Sequence, residues 1–448
     1  MHTDHTLTPP LRVLTILALV LLLSCSSCAL PQVKAEERLF LPLTVEFLDE
    51  YILPATDYEG TPVGGLSAIA YDRQQDLFYA LSDDRGSLAP PRFYTLRLHT
   101  DEGTESSNNL AVEGTENTAV RSDSSIQISS VNLESVTYLS QENGDPFPVE
   151  AIDPEGLVLS PEGTLFISSE GVTSDRISPW VDEFDRTSGQ RLRRLPIPPQ
   201  YRLDEDVPMP ADALPGDSAS LDKGPSIGVR NNQGFEALAL SAAGMGMGND
   251  EPFRIFAGIE NPLIQDANSV APETPQPGRI LHYVVSPDQA FVLSEHVYPI
   301  DPLPFGAVTN GLVELMALGA GGHFLSLERS YGLGGTRVKL FQTTFSDATD
   351  TASLTFLNPD ATPPSPEGVS DEAVDQPWLD GIQPMRKQLV LDLYDLGIPL
   401  DNLEGMTLGP RLSDGSQSLI LVSDDNFNTE KQVTQLLLFR INGLPPML

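Results

Sequence analysis

The chain has 448 residues, of which 40% are hydrophobic, and its 26 basic and 63 acidic residues give a formal charge of −37. This composition is typical of an acidic globular protein with ample material for a core. It argues against nucleic acid as a partner, because binding a phosphate backbone requires a basic surface.

The first element in chain order is a targeting segment. A basic residue precedes the apolar run 13–23, which is too short to span a bilayer but has the length of a signal-peptide core. Two cleavage alternatives stay open, because LLSC at 22–25 resembles a lipobox ending in Cys25, whereas SCA at 27–29 suits ordinary signal peptidase. We expect a leader over 1–29, export to the periplasm or cell envelope, and membrane attachment only through a lipid on that cysteine.

Both cysteines of the chain, Cys25 and Cys28, lie in this leader. The body of the protein therefore has no thiol, which excludes disulfides, thiolate metal ligands and a cysteine nucleophile. Its stability must come from the hydrophobic core, with bound ions as a second source.

Five copies of one pattern follow the leader. In each copy an apolar run turns through Gly, Pro, Asp or Ser into a second apolar run, which ends in an acidic residue. The copies cover residues 64–86, 153–171, 234–261, 311–330 and 402–426. Two more strand candidates follow each of the first four copies, and one follows the fifth. Four strands per repeat is the content of a β-propeller blade.

The strand missing from the fifth repeat is found ahead of the first. The segment 41–53, LPLTVEFLDEYIL, has the same alternation. We therefore predict one all-β domain over 41–443, a monomeric β-propeller of five four-stranded blades whose N-terminal strand closes the last blade. A sixth, degenerate blade near 132–139 is the alternative. Polar insertions between the strands are expected to be surface loops; they cover 100–125, 201–226, 262–278 and 346–381.

Acidic residues recur at two positions of the repeat. Because the innermost strands of a propeller surround one axis, equivalent residues of different blades should face one another. The inner-strand position holds Ser67 in the first copy and Glu155, Glu236, Glu314 and Glu404 in the others. The ends of the second runs supply Asp83, Asp84, Glu170, Glu260, Glu328, Asp424 and Asp425.

Carboxylates gathered in this way raise one another's pKa values unless positive charge lies among them. An all-oxygen set suits Ca²⁺, whereas zinc is disfavoured because the body lacks cysteine and its histidines show no ligand spacing. Arg85, Arg230 and Arg329 lie close by in sequence and would neutralise the acids or hold a phosphate group. Two interpretations stay open: the acids bind a metal or substrate, or they accept backbone N–H bonds and latch neighbouring blades together.

Sequence motifs of the common hydrolases are absent. The chain has no GxSxG, HExxH or GxxxxGK[ST] run. Any catalysis is therefore expected to be attack by water, assisted by a metal or by carboxylates.

The motifs GGLSAIAYD, DPEGLVLSPEGTLFISSEG, RNNQGFEALAL and DNLEGMTLGPRLSDGSQSLILVSDDNF together resemble the phytase-like domain, described as the "esterase-like activity of phytase" family. The resemblance runs from about residue 64 to 441. It implies an exported bacterial propeller whose acids, at the eleven positions named above, form a phosphoesterase or phosphodiesterase site. The similarity to β-propeller phytases is architectural only, because those enzymes bind phytate with many lysines and arginines, and this chain has few.

We therefore expect a calcium-dependent phosphoric ester hydrolase acting on a small-molecule phosphate ester or an envelope ligand. The acids would hold the ion, and Glu155, Glu404, Arg85, Arg230 and Arg329 would act at the phosphate. The alternative is a non-catalytic propeller that binds a ligand or protein and uses its acids structurally. Convergence of acids from different blades would favour the enzyme.

Overall fold

The computed structural model describes residues 39–102, 126–203, 227–241, 251–267, 274–319, 321–358 and 381–445. The chain divides into two units, Met1–Phe40 and Leu41–Leu448. The predicted leader and Cys25 lie outside the described residues, as does much of each long insertion. Within the described ranges, no helix is both long enough and apolar enough to cross a membrane.

Strands account for nearly all regular structure in the described part of the second unit. The first three are β1 (Thr44–Leu53), β2 (Thr56–Tyr58) and β3 (Thr61–Val63). Blade 1 contains β4 (Leu66–Asp72), β5 (Leu77–Ser82), β6 (Arg92–Glu102) and β7 (Ile126–Tyr138). Blade 2 contains β8 (Pro154–Leu159), β9 (Leu165–Ser169), β10 (Trp180–Phe184) and β11 (Arg191–Arg194). Blade 3 contains β12 (Phe235–Leu240), β13 (Phe253–Ile259), β14 (Gln276–Val285) and β15 (Ala290–Ile300).

The last two blades complete the ring. Blade 4 contains β16 (Ala307–Ala317), β17 (His323–Gly332), β18 (Gly335–Thr344) and β19 (Arg386–Asp392). Blade 5 contains β20 (Asn402–Arg411), β21 (Gln417–Asp424), β22 (Thr434–Asn442) and, outermost, β1. The innermost strands β4, β8, β12, β16 and β20 each contact the next one, and β20 contacts β4. The protein is therefore a five-bladed β-propeller, as the repeats predict.

A sixth blade near 132–139 does not exist. Residues 132–138 form the second half of β7, the outer strand of blade 1, and pair with β6. The sequence LESVTYL resembles an inner strand because both alternate apolar and polar residues.

The predicted closure between the two ends of the domain is confirmed. β1 runs antiparallel to β22, from the pair Thr44↔Asn442 to the pair Leu53↔Thr434. The Phe47 ring packs edge-on against Phe439, with the ring centroids 5.5 Å apart. Closure covers the strand edge that β22 would otherwise expose to other chains.

A β-bulge near the start of every inner strand sets the positions of the axial side chains. The pairing of the first strand with the second shifts by one extra residue in all five blades, and in blade 2 two residues face the single residue Ser168. The bulged residues are Ser67, Glu155 with Gly156, Glu236, Val313 and Glu404. A bulge twists the strand and redirects a side chain, which here turns it toward the axis.

Part of the last insertion is buried rather than lying free on the surface. Thr351 donates its hydroxyl to Glu295 at 2.8 Å, and the Leu357 N–H donates to Asp266 at 3.0 Å. The same two acids pair with Arg279, which is fully buried. The expectation of a surface loop fails for these residues because side chains of blade 3 satisfy their backbone polar groups.

A candidate carboxylate site on the propeller axis

The strand register shows which residues are equivalent at the end of the second strand of each blade, which is the second repeat position that holds acids. Pairing joins Leu66 to Ser82, Pro154 to Ser169, Phe235 to Ile259, Leu312 to Glu328 and Leu403 to Ser423. The residues that follow on the second strands are Asp83, Glu170, Glu260, Arg329 and Asp424. Blade 4 therefore supplies Val313 and Arg329 where most other blades supply acids. The predicted equivalence of Glu314 and Glu328 with those acids is wrong by one residue.

Acids from different blades converge on the axis. Carboxylate oxygens of Glu155, Glu236 and Glu404, from blades 2, 3 and 5, all lie within 4.8 Å of one another. Oxygens of Asp153, Glu155 and Glu170 form a second group with the same spacing, and Glu155 joins the two groups. We call these two groups, together with the acids that interact with them, the axial acid cluster. Its members are Asp83, Asp153, Glu155, Glu170, Glu236, Glu260, Glu404 and Asp424.

Two arginines contact the cluster directly. Arg329 is largely buried, with Nη1 3.0 Å from Glu404 and Nη2 3.3 Å from Glu260. Arg85 is about one-third exposed and lies 2.5 Å from Asp153. The predicted third cation, Arg230, is exposed and interacts with Glu260 at longer range. Three guanidinium groups against eight carboxyl groups leave five carboxylates without a compensating charge if all ionise.

Two buried oxygen atoms in the cluster have neither a hydrogen-bond partner nor an ion-pair partner in the described part of the chain. They are Oδ1 of Asp83 and Oε2 of Glu170. The other Glu170 oxygen accepts the N–H of Gly234 at 2.8 Å, and a Cβ at that glycine would collide with the Glu170 carbonyl oxygen. A buried acceptor without a partner costs free energy, which a proton or a cation would recover.

The pKa values of the cluster reflect this crowding. Burial raises the pKa of Glu404 to about 8 and those of Asp153 and Asp424 to about 6. Burial, reinforced by neighbouring carboxylates, raises the pKa values of Glu155 and Glu236 well above the usual range. At neutral pH the cluster therefore retains protons unless a cation replaces them.

Two of the predicted acids in blade 4 lie outside the cluster. Glu314 accepts backbone N–H groups of Leu315 at 2.8 Å and, more weakly, of Leu238 and Met406 at 3.4 Å in the neighbouring blades. Glu328 accepts the Tyr298 hydroxyl at 2.8 Å and forms an ion pair with Lys387.

The second aspartates of the two Asp–Asp pairs also lie outside the cluster. Asp84 pairs with the fully buried Arg92 at 2.8 Å and accepts backbone N–H groups of residues 86–89. Asp425 accepts the Gly65 N–H at 2.8 Å, which joins blade 5 to blade 1. The two interpretations of the acids thus divide the residues: some converge on the axis and others hold blades and turns.

Sequence reasoning missed two residues that face this site. Asp153 belongs to the cluster, and Asn402 donates to Glu404 at 2.9 Å and to Asp424 at 3.2 Å. Both precede a repeat glutamate by two residues, in DPEG and DNLEG. An alignment of the copies on that glutamate would have shown the shared position.

The donor set fits a hard divalent cation. Every converging ligand is a carboxylate oxygen, the type Ca²⁺ prefers, and Ca²⁺ tolerates irregular geometry. The two unpartnered buried oxygens add ligand capacity beside the converging groups. Glu155 and Arg85 are partly exposed, so the cluster is open to solvent on their side.

Comparison with known protein families finds a match over most of the chain. The profile of the family described as "Phytase-like: Esterase-like activity of phytase" matches residues 61–427. No curated protein matches the sequence.

Several solved structures are similar at low identity. The Dos1 propeller is 8% identical with a TM-score of 0.29, over 85% of this chain and 68% of that one. The Pan2 WD40 domain of Neurospora crassa is 7% identical with a TM-score of 0.28, over 88% of this chain and 95% of that one. The N-terminal domain of Nup159 is 10% identical with a TM-score of 0.30, over 89% of this chain and 95% of that one.

Proposed function

Because the chain belongs to the phytase-like family, described by the esterase-like activity of phytase, we propose that it is a hydrolase that cleaves phosphoric esters at the axial acid cluster with a bound divalent cation. Membership of this family and the propeller fold are both consistent with a hydrolase built on a propeller. We propose further that the ester is a phosphoric ester of a small molecule or envelope ligand and that the cation is Ca²⁺. Export to the periplasm or envelope, as a monomer, is proposed with it on the basis of the leader sequence.

The observation that carries the proposal is the convergence of Glu155, Glu236 and Glu404 within 4.8 Å. Three blades contribute one carboxylate each, so the group exists only in the assembled ring. A structural role for these oxygens would leave most of them paired with N–H groups, as in Glu314. Instead they face one another, which is unfavourable without a cation or protons.

Each residue of the site has a chemical role in this proposal. Glu155, Glu236 and Glu404 would hold the cation, which when bound supplies positive charge that polarises the phosphoryl oxygen and favours ionisation of water. Glu170 would accept the proton of the attacking water at Oε2, its unpartnered oxygen, and return it to the leaving alkoxide. Burial and neighbouring acids raise the pKa of Glu170 well above the usual range, which makes its carboxylate a stronger base than a free one.

Arg85 is best placed to bind the phosphate. Its side chain is about one-third exposed beside the cluster, whereas Arg329 is enclosed between Glu260 and Glu404. A phosphate group would compete with Asp153 for the Arg85 guanidinium, whose planar fork of N–H donors can bind two oxygens of a phosphate as well as of a carboxylate. The surrounding negative charge disfavours highly phosphorylated substrates.

A non-catalytic binding function is the second candidate. It is favoured by the partners of Asp84, Glu314, Glu328 and Asp425, which are structural. In that case the cluster would hold a cation that only rigidifies the ring, and the exposed face would recognise a ligand or partner.

The test compares cation binding with hydrolysis in matched variants. Calcium binding is measured by calorimetry after chelation, and hydrolysis with p-nitrophenyl phosphate and bis(p-nitrophenyl) phosphate. Glu155→Gln and Glu236→Gln should each lose both properties. The control is Glu183→Gln, which alters a buried, ion-paired carboxylate on the third strand of blade 2. Calcium binding without hydrolysis would favour the second candidate, and absence of both would reject the metal site.

A further inference from the structure

A second concavity lies on the propeller axis, apart from the acid cluster. It has a volume of about 650 Å³ and is lined by residues of all five inner strands. Its lining also includes exposed residues of the turn after β4, Arg73 and Gln74, so it reaches the surface at the far end of the inner strands. A volume of this size is typical of small-molecule sites, which run from roughly 300 to 1,000 Å³.

The strand order separates this cavity from the cluster. Its first lining residue on each inner strand is Ile69, Leu157, Leu238, Glu314 or Met406. In blades 1, 2, 3 and 5 this residue lies two positions beyond the residue that begins the bulge, and in blade 4 one position beyond Val313. The axial cavity therefore begins one level below the acid cluster and continues away from it.

The walls of the axial cavity combine polar atoms and apolar side chains in about equal measure, and its inner end is acidic. The half-buried lining residues Val158, Met316 and Leu408 contribute aliphatic and thioether surface. Glu314 lies at the inner end, with one carboxylate oxygen accepting two N–H groups and the other accepting only that of Met406, at 3.4 Å. A carboxylate has about four acceptor positions, so Glu314 can accept another donor from inside the cavity.

The basic residues that line the axial cavity lie at its outer end. Arg186 pairs with Asp72 at 2.6 Å, and Arg73 is in the exposed turn. No basic side chain among the lining residues is on an inner strand near Glu314. An anion entering the cavity would meet an uncompensated carboxyl group at the inner end, whereas a cation would meet a partner.

We propose that the axial cavity is a second binding site, for a small organic cation with an apolar body whose ammonium group contacts Glu314. The apolar side chains in the wall would take up the body of the ligand by the hydrophobic effect. The charge of −37 on the chain raises the local concentration of cations. Burial raises the pKa of Glu314 well above the usual range, and an ammonium contact would lower it again, as for any carboxyl group that gains a cationic partner.

The test uses three ligands that differ only in their polar group. Binding of octylamine, octanol and octanoate to the full chain is measured by competition with the fluorescent probe N-phenyl-1-naphthylamine, in excess calcium so that the acid cluster is saturated. We expect octylamine to bind about tenfold more tightly than octanol, because the charged hydrogen bond is stronger, and octanoate to bind least.

Variants locate the site. Thr407→Trp and Met316→Trp place an indole in the axial cavity from half-buried lining positions, and each should abolish displacement of the probe by octylamine. Glu314→Gln should reduce the preference for octylamine over octanol to less than twofold, whereas Glu183→Gln should leave it unchanged.

Two results would overturn the proposal. One is equal affinity of the folded wild-type protein for octylamine and octanol, which needs no variant. The other is undiminished octylamine binding in either tryptophan variant with a native circular dichroism spectrum, which would place the ligand elsewhere.

Discussion

One guanidinium group occupies a position that four of the five blades give to a carboxylate. Arg329 stands where the other blades have Asp83, Glu170, Glu260 and Asp424, and it bridges Glu260 and Glu404. Blade 4 also places Val313 at the bulge, so it adds no negative charge of its own to the axis at either position. Its contribution is to compensate the acids of the blades on both sides.

Removing this guanidinium should destabilise the protein in a pH-dependent way. Arg329→Gln leaves buried carboxylates without their partner, which typically costs about 3 kcal/mol or more. The loss should be larger at pH 8 than at pH 5, because Glu404, with its pKa of about 8, is protonated in the folded state at pH 5 and partly ionised at pH 8. Denaturant unfolding at both pH values measures it. Arg97→Gln, which removes a surface ion pair, should cost under about 1 kcal/mol at either pH.

The raised pKa values of the cluster predict a stability that falls as pH rises. Free carboxyl groups in the unfolded chain have pKa values near 4. The folded values are about 6 for Asp153 and Asp424 and about 8 for Glu404. Between these limits the folded state binds more protons, so the unfolding free energy decreases with increasing pH. Chelated protein should therefore melt at a lower temperature at pH 8 than at pH 5. A rise over that interval would mean that the acids are ionised and paired.

At the scale of single elements, the closing strand is the one on which the ring depends. β1 pairs only with β22, and Phe47 places its ring against Phe439 in the core between blades 4 and 5. Loss of this contact would loosen the whole strand, because no strand in the described part of the chain pairs with the other edge of β1.

Shortening the side chain at this point should cost about 3 to 5 kcal/mol. We expect Phe47→Ala to lower the unfolding free energy by that amount and to increase aggregation, since a detached β1 exposes the edge of β22. The control is Ile52→Ala on the same strand, where the side chain is 42% exposed, and it should cost much less. Equal losses in the two variants would show that backbone pairing, rather than the Phe47 contact, holds the strand.

Elements were more predictable than the residues that reach the axis. The alternating runs and turn residues predict the strands, and the segment 41–53 predicts the strand that closes the ring, because both predictions depend on hydrophobic periodicity. The bulges have no such signature. A bulge shifts the register by one residue. In blade 4 the bulged residue is therefore Val313 and not Glu314, and the apolar pattern of the sequence does not reveal this. The short β2–β3 hairpin was also missed, since three residues are too few to show a period.

At the scale of the whole molecule, the candidate cation joins three blades. Glu155, Glu236 and Glu404 come from blades 2, 3 and 5, so unfolding of the ring would release the ion. A ligand at a hundred times its dissociation constant stabilises a folded protein by about 2.7 kcal/mol. Calcium should therefore raise the melting temperature of the chelated protein at pH 8, and by less at pH 5. Glu236→Gln should abolish the shift and Glu183→Gln should retain it; a shift that survives in Glu236→Gln would place the ion elsewhere.

The pairing of β1 with β22 also has a consequence for biosynthesis. Leu53 leaves the ribosome about 380 residues before its partner Thr434, a delay of roughly 20 to 80 s at typical elongation rates. During that interval the first strand has no place to pair, and blade 5 does not exist. Only a chain translated through β22 can complete the ring, so interrupted products keep an open edge by which cellular quality control can distinguish them from finished molecules.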